Sequence, residues 1–301
     1  MSVIKPISIE TEYKKNPDIT PDDIKKLRDW LGTQPHLPGE HISDMDLMIV
    51  FHCCEKSSEV AKQVLDLHLT LRTLFAPYFK DRILDKKTEA TLNTVLYAPL
   101  PTPTADGYRV VYLRLLDADP RSFNLVDGVR TFMMMFDLWQ YEEGTWPGFI
   151  LLIDMNRTTM AHVAKLEVMA VKKILYFIQE CMFTKLKGVY FMNAPYFMDK
   201  VMMLLRPFLK KELVHLVQVH QAGTGSIYSL IPKEAFPKDE GGNHKHSSEI
   251  KEDLRQRLQA NSEYFQAENK RRVNESLRPG GKPSPAEKEF VQGSFKKLEL
   301  D

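Results

Sequence analysis

The chain has 301 residues, of which 43% are apolar, and its 41 Lys and Arg almost balance its 40 Asp and Glu. This length suits one large domain or two modest ones, with enough apolar side chains for a buried core. The formal net charge of +1 argues against a nucleic-acid-binding protein, which needs a strong basic excess. Composition therefore favours a globular protein whose partners are not nucleic acids.

Targeting signals and cysteines together predict a cytoplasmic protein. The N-terminal segment lacks the apolar core of a signal peptide, and no apolar run reaches the roughly 18 residues of a transmembrane helix. Cys53, Cys54 and Cys181 are odd in number and have no CxxC spacing, so a disulfide framework is not expected. The sequence predicts contact with membranes only at their surface.

The first predicted unit, residues 1–93, contains helices joined by short turns. Thr20, Pro21 and Asp23 have the residue types of a helix start with a capping box. Further helices are predicted to begin at Ser43 or Asp44 and at Ser57 or Ser58. In the last of these, apolar residues recur at steps of three and four between Val60 and Leu74. The pattern predicts a small helical bundle.

The second predicted unit, residues 94–245, alternates strands with helices. Short apolar or β-branched runs predict strands over residues 108–116, 149–153, 189–192 and 214–220. The helical patterns cover residues 123–143, 161–182 and 195–209. Gly188 is expected to break the second helical pattern, and Pro195 is expected at the first position of the third helix. A strand, a long helix and another strand form the βαβ pattern, which predicts an α/β fold with parallel strands.

The third predicted unit, residues 246–301, has a different composition. Residues 247–275 are dense in Glu, Lys, Arg and Gln, which predicts a solvated helix that docks on the rest of the protein. Residues 276–301 contain Pro and Gly and are predicted to form an extended tail.

No set of residues in the sequence supports catalysis, a metal site or a cofactor. Gly223 and Gly225 lack the spacing of a P-loop and a following lysine, so an ordinary turn is the better interpretation. Arg121 stands where an EF-hand starting at Asp117 would need a third calcium ligand. No GxSxG elbow occurs, and no serine or cysteine lies beside a plausible base. The sequence therefore predicts a protein that is not an enzyme.

Methionine and aromatic side chains concentrate around the third predicted strand and the helix after it. The methionines there are Met192, Met198, Met202 and Met203, and Met133–Met135 are consecutive in an earlier helix. Methionine fills irregular space and adapts to changing partners. These residues are either ordinary core or the lining of a cavity for a flexible apolar ligand.

Several short motifs, in order along the chain, resemble those of CRAL-TRIO lipid-binding proteins. They are LRDWL at 27–31, QPHLP at 34–38, LTLRT at 69–73, DM at 154–155, NAP at 193–195, RPFL at 206–209, and Pro237 with Gly241-Gly242. The resemblance covers residues 24 to about 242 and is strongest for the animal branch with the α-tocopherol transfer protein, cellular retinaldehyde-binding protein and clavesins. The tail is similar to the ends of insect members.

The resemblance implies the CRAL-TRIO lipid-binding fold, in which a mixed or parallel sheet floors a hydrophobic pocket under a mobile helix, beside an N-terminal helical bundle. The implied pocket residues are Val129, Phe132, Met133, Phe136, Ile153, Ile174, Phe177, Ile178, Leu186, Val189 and Phe191. The implied lid residues are Phe197, Met198, Val201, Met202 and Leu205. Tocopherol-binding relatives carry small hydroxyl residues where this chain has Phe132 and Phe136, which implies a narrower cavity here.

The resemblance also implies a candidate phosphoinositide site. Four basic residues hold this lipid in the relatives, and Lys185 and Lys187 match two of them. Cys54, Glu212 and Leu216 stand where the relatives have basic residues. As a charge pattern alone, the two lysines are more typical of a solvated edge, although they also suit contact with anionic lipid head groups.

Two hypotheses for function follow. The first is an intracellular carrier that encloses a tocopherol, retinoid, carotenoid or similar isoprenoid lipid and transfers it between membranes. The second is a regulatory or trafficking adaptor that senses a lipid and recruits partners through the helical N-terminus or through residues 247–275.

Overall fold

The computed structural model describes residues 3–281 and 284–292. Its α-helices are α1 Ile9–Lys15, α2 Pro21–Gly32, α3 Asp44–Cys53, α4 Ser58–Leu74, α5 Ala76–Phe79, α6 Lys86–Thr94, α7 Leu125–Glu143, α8 Met160–Val163, α9 Val168–Glu180, α10 Met198–Leu205, α11 Ser247–Ala260, α12 Ser262–Glu268 and α13 Pro285–Glu287. Its strands are β1 Val95–Pro99, β2 Arg109–Leu115, β3 Phe149–Asp154, β4 Leu186–Ala194 and β5 Val217–Gln221.

The N-terminal helices begin where side chains can cap them. Thr20 and Asp23 form a reciprocal capping box at α2, as predicted. Ser43 rather than Asp44 caps α3, and Ser57 rather than Ser58 caps α4. Each cap supplies an acceptor for a backbone N–H group that the helix itself leaves unpaired. The helices then bury a common apolar cluster that includes Leu27, Leu31, Leu47, Leu65 and Leu69.

The sheet has five strands in the order β1-β2-β3-β4-β5. β1 is antiparallel to β2, and all other neighbours are parallel. The predicted mixed α/β sheet is therefore confirmed, but β1 was not predicted. Its apolar run was hidden by the prolines that follow, and Pro99 is tolerated because it ends an edge strand.

Side chains alternate between the two faces of the sheet. On one face, Leu96, Val110, Tyr112, Ile150, Leu152, Tyr190 and Met192 pack against Ile227, Ile231, Phe236 and Ile250. We call this the closed face. Val95, Leu113, Leu151, Ile153, Val189 and Phe191 belong to the other face, which borders a cavity. We call it the cavity face. The alternation is the period of two that strand geometry imposes.

Two helix predictions need correction. Residues 161–182 are not one helix, because α8 ends at Val163 and Glu167 has an extended backbone that starts α9. The last predicted helix, 195–209, is shorter at both ends. β4 continues to Ala194 and α10 begins only at Met198. Pro207 lies in a 3₁₀ turn directly after α10, since proline cannot continue the α-helical hydrogen bonding.

The predicted first residues of two strands also need correction. Gly188 does not separate a helix from a strand but lies inside β4. A Cβ at this position would come within 2.5 Å of the Tyr190 ring, so glycine is what permits that ring position. The last strand begins at Val217 rather than Val214, because Lys211–Leu216 form 3₁₀ turns.

The C-terminal segment is docked, as predicted for residues 247–275, but as the two helices α11 and α12. Leu258 and Phe265 are buried in the same cluster as Leu71 and Phe136. Residues from all three predicted units therefore share one core, and the unit boundaries themselves stay a prediction. Within the predicted extended tail, Pro285–Glu287 is α-helical and Lys288–Gln292 forms a short π-helix, whereas residues 293–301 lie outside the described part.

A buried group of charges fixes this arrangement. Arg72 and Arg82 each pair with both Asp137 and Glu268, at N–O distances between 2.6 and 2.9 Å. Burial opposes the ionisation of Asp137, but the two arginines outweigh it and lower its pKa. α4, α7 and α12 are thereby tied together. Within the described ranges, no helix combines the length and apolar character needed to cross a bilayer.

Candidate ligand-binding cavity

An apolar cavity of about 300 Å³ lies between the cavity face of the sheet and helices α7 to α10. It is at the lower end of the range for small-molecule sites. The predicted pocket residues that line it are Val129, Phe132, Ile153, Ile174, Ile178, Leu186, Val189 and Phe191. Others were not predicted, among them Tyr97, Leu113, Leu125, Gly128, Leu151, Met155, His162, Val163, Leu166, Val171 and Leu175. Ligand contact by any of these residues stays a prediction.

Three predicted pocket residues do not line the cavity. Met133 is buried in the main core. Phe136 lies one turn beyond Phe132, about 6 Å further along the axis of α7, where its ring packs 5.2 Å from that of Phe149. Phe177 faces away from the cavity and packs 4.9 Å from the Phe79 ring. Helical periodicity identified these side chains as buried but did not distinguish core from cavity.

Asp154 belongs to the cavity lining, and its carboxylate is held by hydrogen bonds. Its carboxylate accepts hydrogen bonds from the Tyr112 hydroxyl, the Asn156 backbone and the Asn193 side chain, all at 2.8 Å. Burial first, and then the nearby Asp154 charge, raise the pKa of Tyr112. Asn193 adopts a positive φ of 51° at this point. The DM and NAP motifs are therefore explained as one polar junction between β2, β3 and β4.

His162 is the main polar side chain on the opposite flank. Its Nδ1 accepts the Thr159 backbone N–H at 3.1 Å, which caps α8. Its ring lies 5.9 Å from that of Phe123. Burial first, and then Lys165, lower the pKa of His162, which favours a neutral imidazole. The sequence interpretation missed this residue, although Thr159 followed three residues later by a capping side chain is a helix-start signal.

The eight-residue helix α10 covers the cavity. Val201 and Leu205 line it. The other predicted lid residues, Phe197, Met198 and Met202, pack beside them in a cluster with Val189 and Phe191. On the outer side, Tyr196 is 94% exposed and Met203 is 69% exposed. The outer side of the cover therefore combines these two apolar side chains with the exposed charged residues Asp199 and Lys200.

The Gln179 side chain fastens the segment after α10 to α9. The Gln179 amide donates to the Phe208 carbonyl at 2.9 Å and accepts from the Lys210 backbone at 2.8 Å. Lys210 also forms an ion pair with Glu180 at 2.8 Å. We call this the Gln179 latch.

Lys185 and Lys187 lie at the start of β4, away from the cavity. Lys185 pairs with Glu55, and the Lys187 ammonium lies 5.5 Å from the centre of the Tyr108 ring. Lys185 also borders a polar recess of about 550 Å³, together with His52 and Lys56. Carboxylates accompany these cations, since Lys56 pairs with Asp18.

Comparisons with known proteins find two matching domain families and several relatives. Residues 94–242 match the CRAL/TRIO domain family, and residues 16–88 match the Pinta-like UBA domain. Clavesin-2 of Homo sapiens is 23% identical over 236 residues, covering 77% of this chain and 71% of the relative. Clavesin-1 of Mus musculus is 24% identical over 233 residues, covering 77% and 66%. The crystal structure of Sfh5 aligns over 94% of this chain and 99% of its own, with 13% identity and a TM-score of 0.43.

The cavity, the mixed five-stranded sheet and the matched residues define an α/β protein with a CRAL/TRIO domain and an N-terminal helical region. The chain is a CRAL/TRIO domain protein, distantly related to the clavesins. This domain implies the binding or transfer of a hydrophobic ligand, and the family is generally non-enzymatic. Among the described residues, no group of three or more His, Cys, Asp or Glu is arranged to hold a metal ion.

Proposed function

We propose that this protein is a carrier that encloses one small hydrophobic molecule and transfers it between membranes. The observation that carries the proposal is the apolar cavity of about 300 Å³ under α10. Removing ~200 Å² of ligand surface from water would contribute roughly 5 kcal/mol, at about 25 cal/mol per Å². A ligand held this way cannot leave through water at low cost, so it must be exchanged with an apolar acceptor.

The surface around the cover supports a membrane as that acceptor. Tyr196 and Met203 project outward next to α10, and Val168 and Met169 are about half exposed at the start of α9. A bilayer surface can bury these side chains and so favour the open state of the cover. This is the transient, peripheral contact that the proposal requires.

The cavity supports a compact ligand. Phe132 occupies part of the space, and the volume is at the lower end of the range for ligand sites. Within the proposed isoprenoid class, a retinoid or shorter molecule fits better than tocopherol or a carotenoid. We place the carrier in the cytoplasm, which is consistent with Cys53, Cys54 and Cys181 being unbridged thiols.

The test is uptake of N-phenyl-1-naphthylamine, a neutral apolar dye that fluoresces when shielded from water. Val189 lines the cavity, so Val189→Trp fills it and should weaken dye uptake about tenfold or more. Val219 lies on the neighbouring strand and is exposed, so Val219→Trp is the matched control and should leave uptake unchanged. Equal uptake by the two variants would overturn the proposal.

The second candidate is a lipid-sensing adaptor that binds phosphoinositides through Lys185 and Lys187. The polar recess beside Lys185 supports it, but Glu55 and Asp18 compensate the nearby lysines. Cosedimentation with phosphoinositide liposomes should fall only about twofold in Lys185→Ala/Lys187→Ala, as expected for exposed charges. Equal binding of the variant and the wild type would remove this candidate.

Deleting residues 247–301 is not a clean test of the adaptor. Leu258 and Phe265 in this segment are core residues, and Glu268 neutralises two buried arginines. The truncated chain would lose stability whichever function is correct. Substitutions at exposed positions of α11 are the better probe of partner recruitment.

A further inference from the structure

The cavity lining contains a buried hydrogen-bonding atom that no described residue pairs with. His162 lines the cavity and is only 3% exposed. Its Nε2 is buried and has no hydrogen-bond partner among the described residues. Buried polar groups are normally paired, because an unpaired one loses its hydration without compensation. Such an atom in a ligand cavity indicates a partner that arrives with the ligand.

The other nitrogen of the ring determines what this atom can do. Nδ1 accepts the Thr159 backbone N–H at 3.1 Å, so Nδ1 carries a lone pair rather than a proton. In a neutral imidazole the proton is then on Nε2. Because Nδ1 is turned toward the start of α8, Nε2–H is left on the cavity side as a hydrogen-bond donor.

Arg114 is the one other cavity residue with an unpaired buried nitrogen in the described part of the chain, at Nε. Its neighbours Leu113 and Leu115 line the cavity, so alternation along β2 directs the Arg114 side chain to the closed face. There its guanidinium pairs with Glu240 and, at 3.6 Å, with Asp239. Arg114 is therefore a structural cation and not a ligand anchor.

We propose that the Nε2–H of His162 is the polar anchor of the cavity and selects apolar ligands that carry one uncharged acceptor oxygen. Hydroxyl and carbonyl oxygens share this chemistry. The inference deepens the proposed carrier function and rests on it. The apolar side chains of the lining would supply the remaining contacts with the ligand, and the hydrogen bond to His162 would fix which end of the molecule lies at α8.

The charges around the cavity argue against a carboxylate ligand. The Arg114 cation is already balanced by Glu240. Asp154 lies in the lining with its full set of hydrogen bonds. At His162 the positive charge of Lys165 is opposed by the negative charges of Asp117 and Asp119. An anion would therefore be buried without a countercharge, which is unfavourable.

The experiment measures binding of matched eleven-carbon probes to the full chain by headspace partitioning. Undecane has no oxygen, whereas 2-undecanone and 1-undecanol each carry one acceptor. His162→Met removes the donor at similar size and should weaken binding of both oxygenated probes about three- to tenfold, with undecane unchanged. His162→Gln keeps an N–H donor and a side chain that can cap α8, so it should retain the wild-type preference.

The ratio of 2-undecanone to undecane affinity is the decisive quantity, because a purely structural defect lowers both affinities together. An unchanged ratio in His162→Met would overturn the anchor but not the carrier. Failure of the wild type to take up any of the three probes would overturn the carrier and the anchor together. Displacement of N-phenyl-1-naphthylamine by undecanoate as strongly as by 2-undecanone would overturn the preference for an uncharged oxygen.

Discussion

The two faces of the sheet are equally apolar, yet one is packed and the other is hollow. On the closed face, Tyr112 meets Phe236 with ring centres 5.4 Å apart. Ile231 and Ile250 complete the cover there. On the cavity face, side chains of similar size from the same strands border about 300 Å³ of space. Apolar character alone therefore does not determine whether a sheet face becomes core or binding site.

The difference lies in the elements that cover each face. The closed face is covered by a chain segment held in place by tight backbone packing, in which a Cβ on Gly242 would come within 2.0 Å of the Phe236 carbonyl oxygen. The cavity face is covered by the long helices α7 and α9 and, at the rim, by the short helices α8 and α10. Short covers supply few side chains and can move at lower cost than a packed segment.

The largest expected effect is on the free energy of unfolding, which should fall more for a substitution on the closed face than for one on the cavity face. Phe236→Ala would open a void in packed core and should lower the free energy of unfolding by about 3–5 kcal/mol. Phe132 borders existing space, so Phe132→Ala should cost about 1–3 kcal/mol, because fewer contacts are lost. Urea unfolding followed by circular dichroism measures both values.

Dye uptake should respond in the opposite order, with the larger change for the substitution on the cavity face. Phe132→Ala enlarges the cavity and should change uptake of N-phenyl-1-naphthylamine, whereas folded Phe236→Ala should bind it as the wild type does. Equal losses of stability, or an altered dye affinity only in Phe236→Ala, would contradict the distinction between the two faces.

A smaller effect is expected at the Gln179 latch, which belongs to the cavity face alone. Gln179→Leu removes two hydrogen bonds from the end of the cover and should speed dye release about three- to tenfold. Gln179→Glu keeps the acceptor for the Lys210 backbone N–H and loses the donor to the Phe208 carbonyl. Its rate of dye release should therefore lie between those of the wild type and Gln179→Leu. Stopped-flow dilution measures the rates, and identical rates in all three proteins would show that the latch does not hold the cover.

Much of this fold could be predicted from local patterns. Thr20 and Asp23 marked a helix start correctly because capping depends on neighbouring residues only. The runs that became β2, β3 and β4 were apolar or β-branched enough to identify. β1 was missed because prolines follow it, and the break between α8 and α9 was missed because it contains neither proline nor glycine.

The candidate site was less predictable, for a geometric reason. Phe132 and Phe136 are both buried and lie on the same helix, but only Phe132 borders the space. Sequence periodicity reports the direction of a side chain around a helix and not what lies opposite it. His162 was missed for the same reason, since its importance comes from the cavity next to it.

Mass spectrometry of the organic extract from protein purified from its native tissue tests the central claim most directly. A dedicated carrier should release one apolar molecule in stoichiometric amount, with a hydroxyl or carbonyl oxygen and no carboxylate. A mixture of ordinary phospholipids, or nothing above background, would contradict a dedicated carrier and favour the lipid-sensing adaptor.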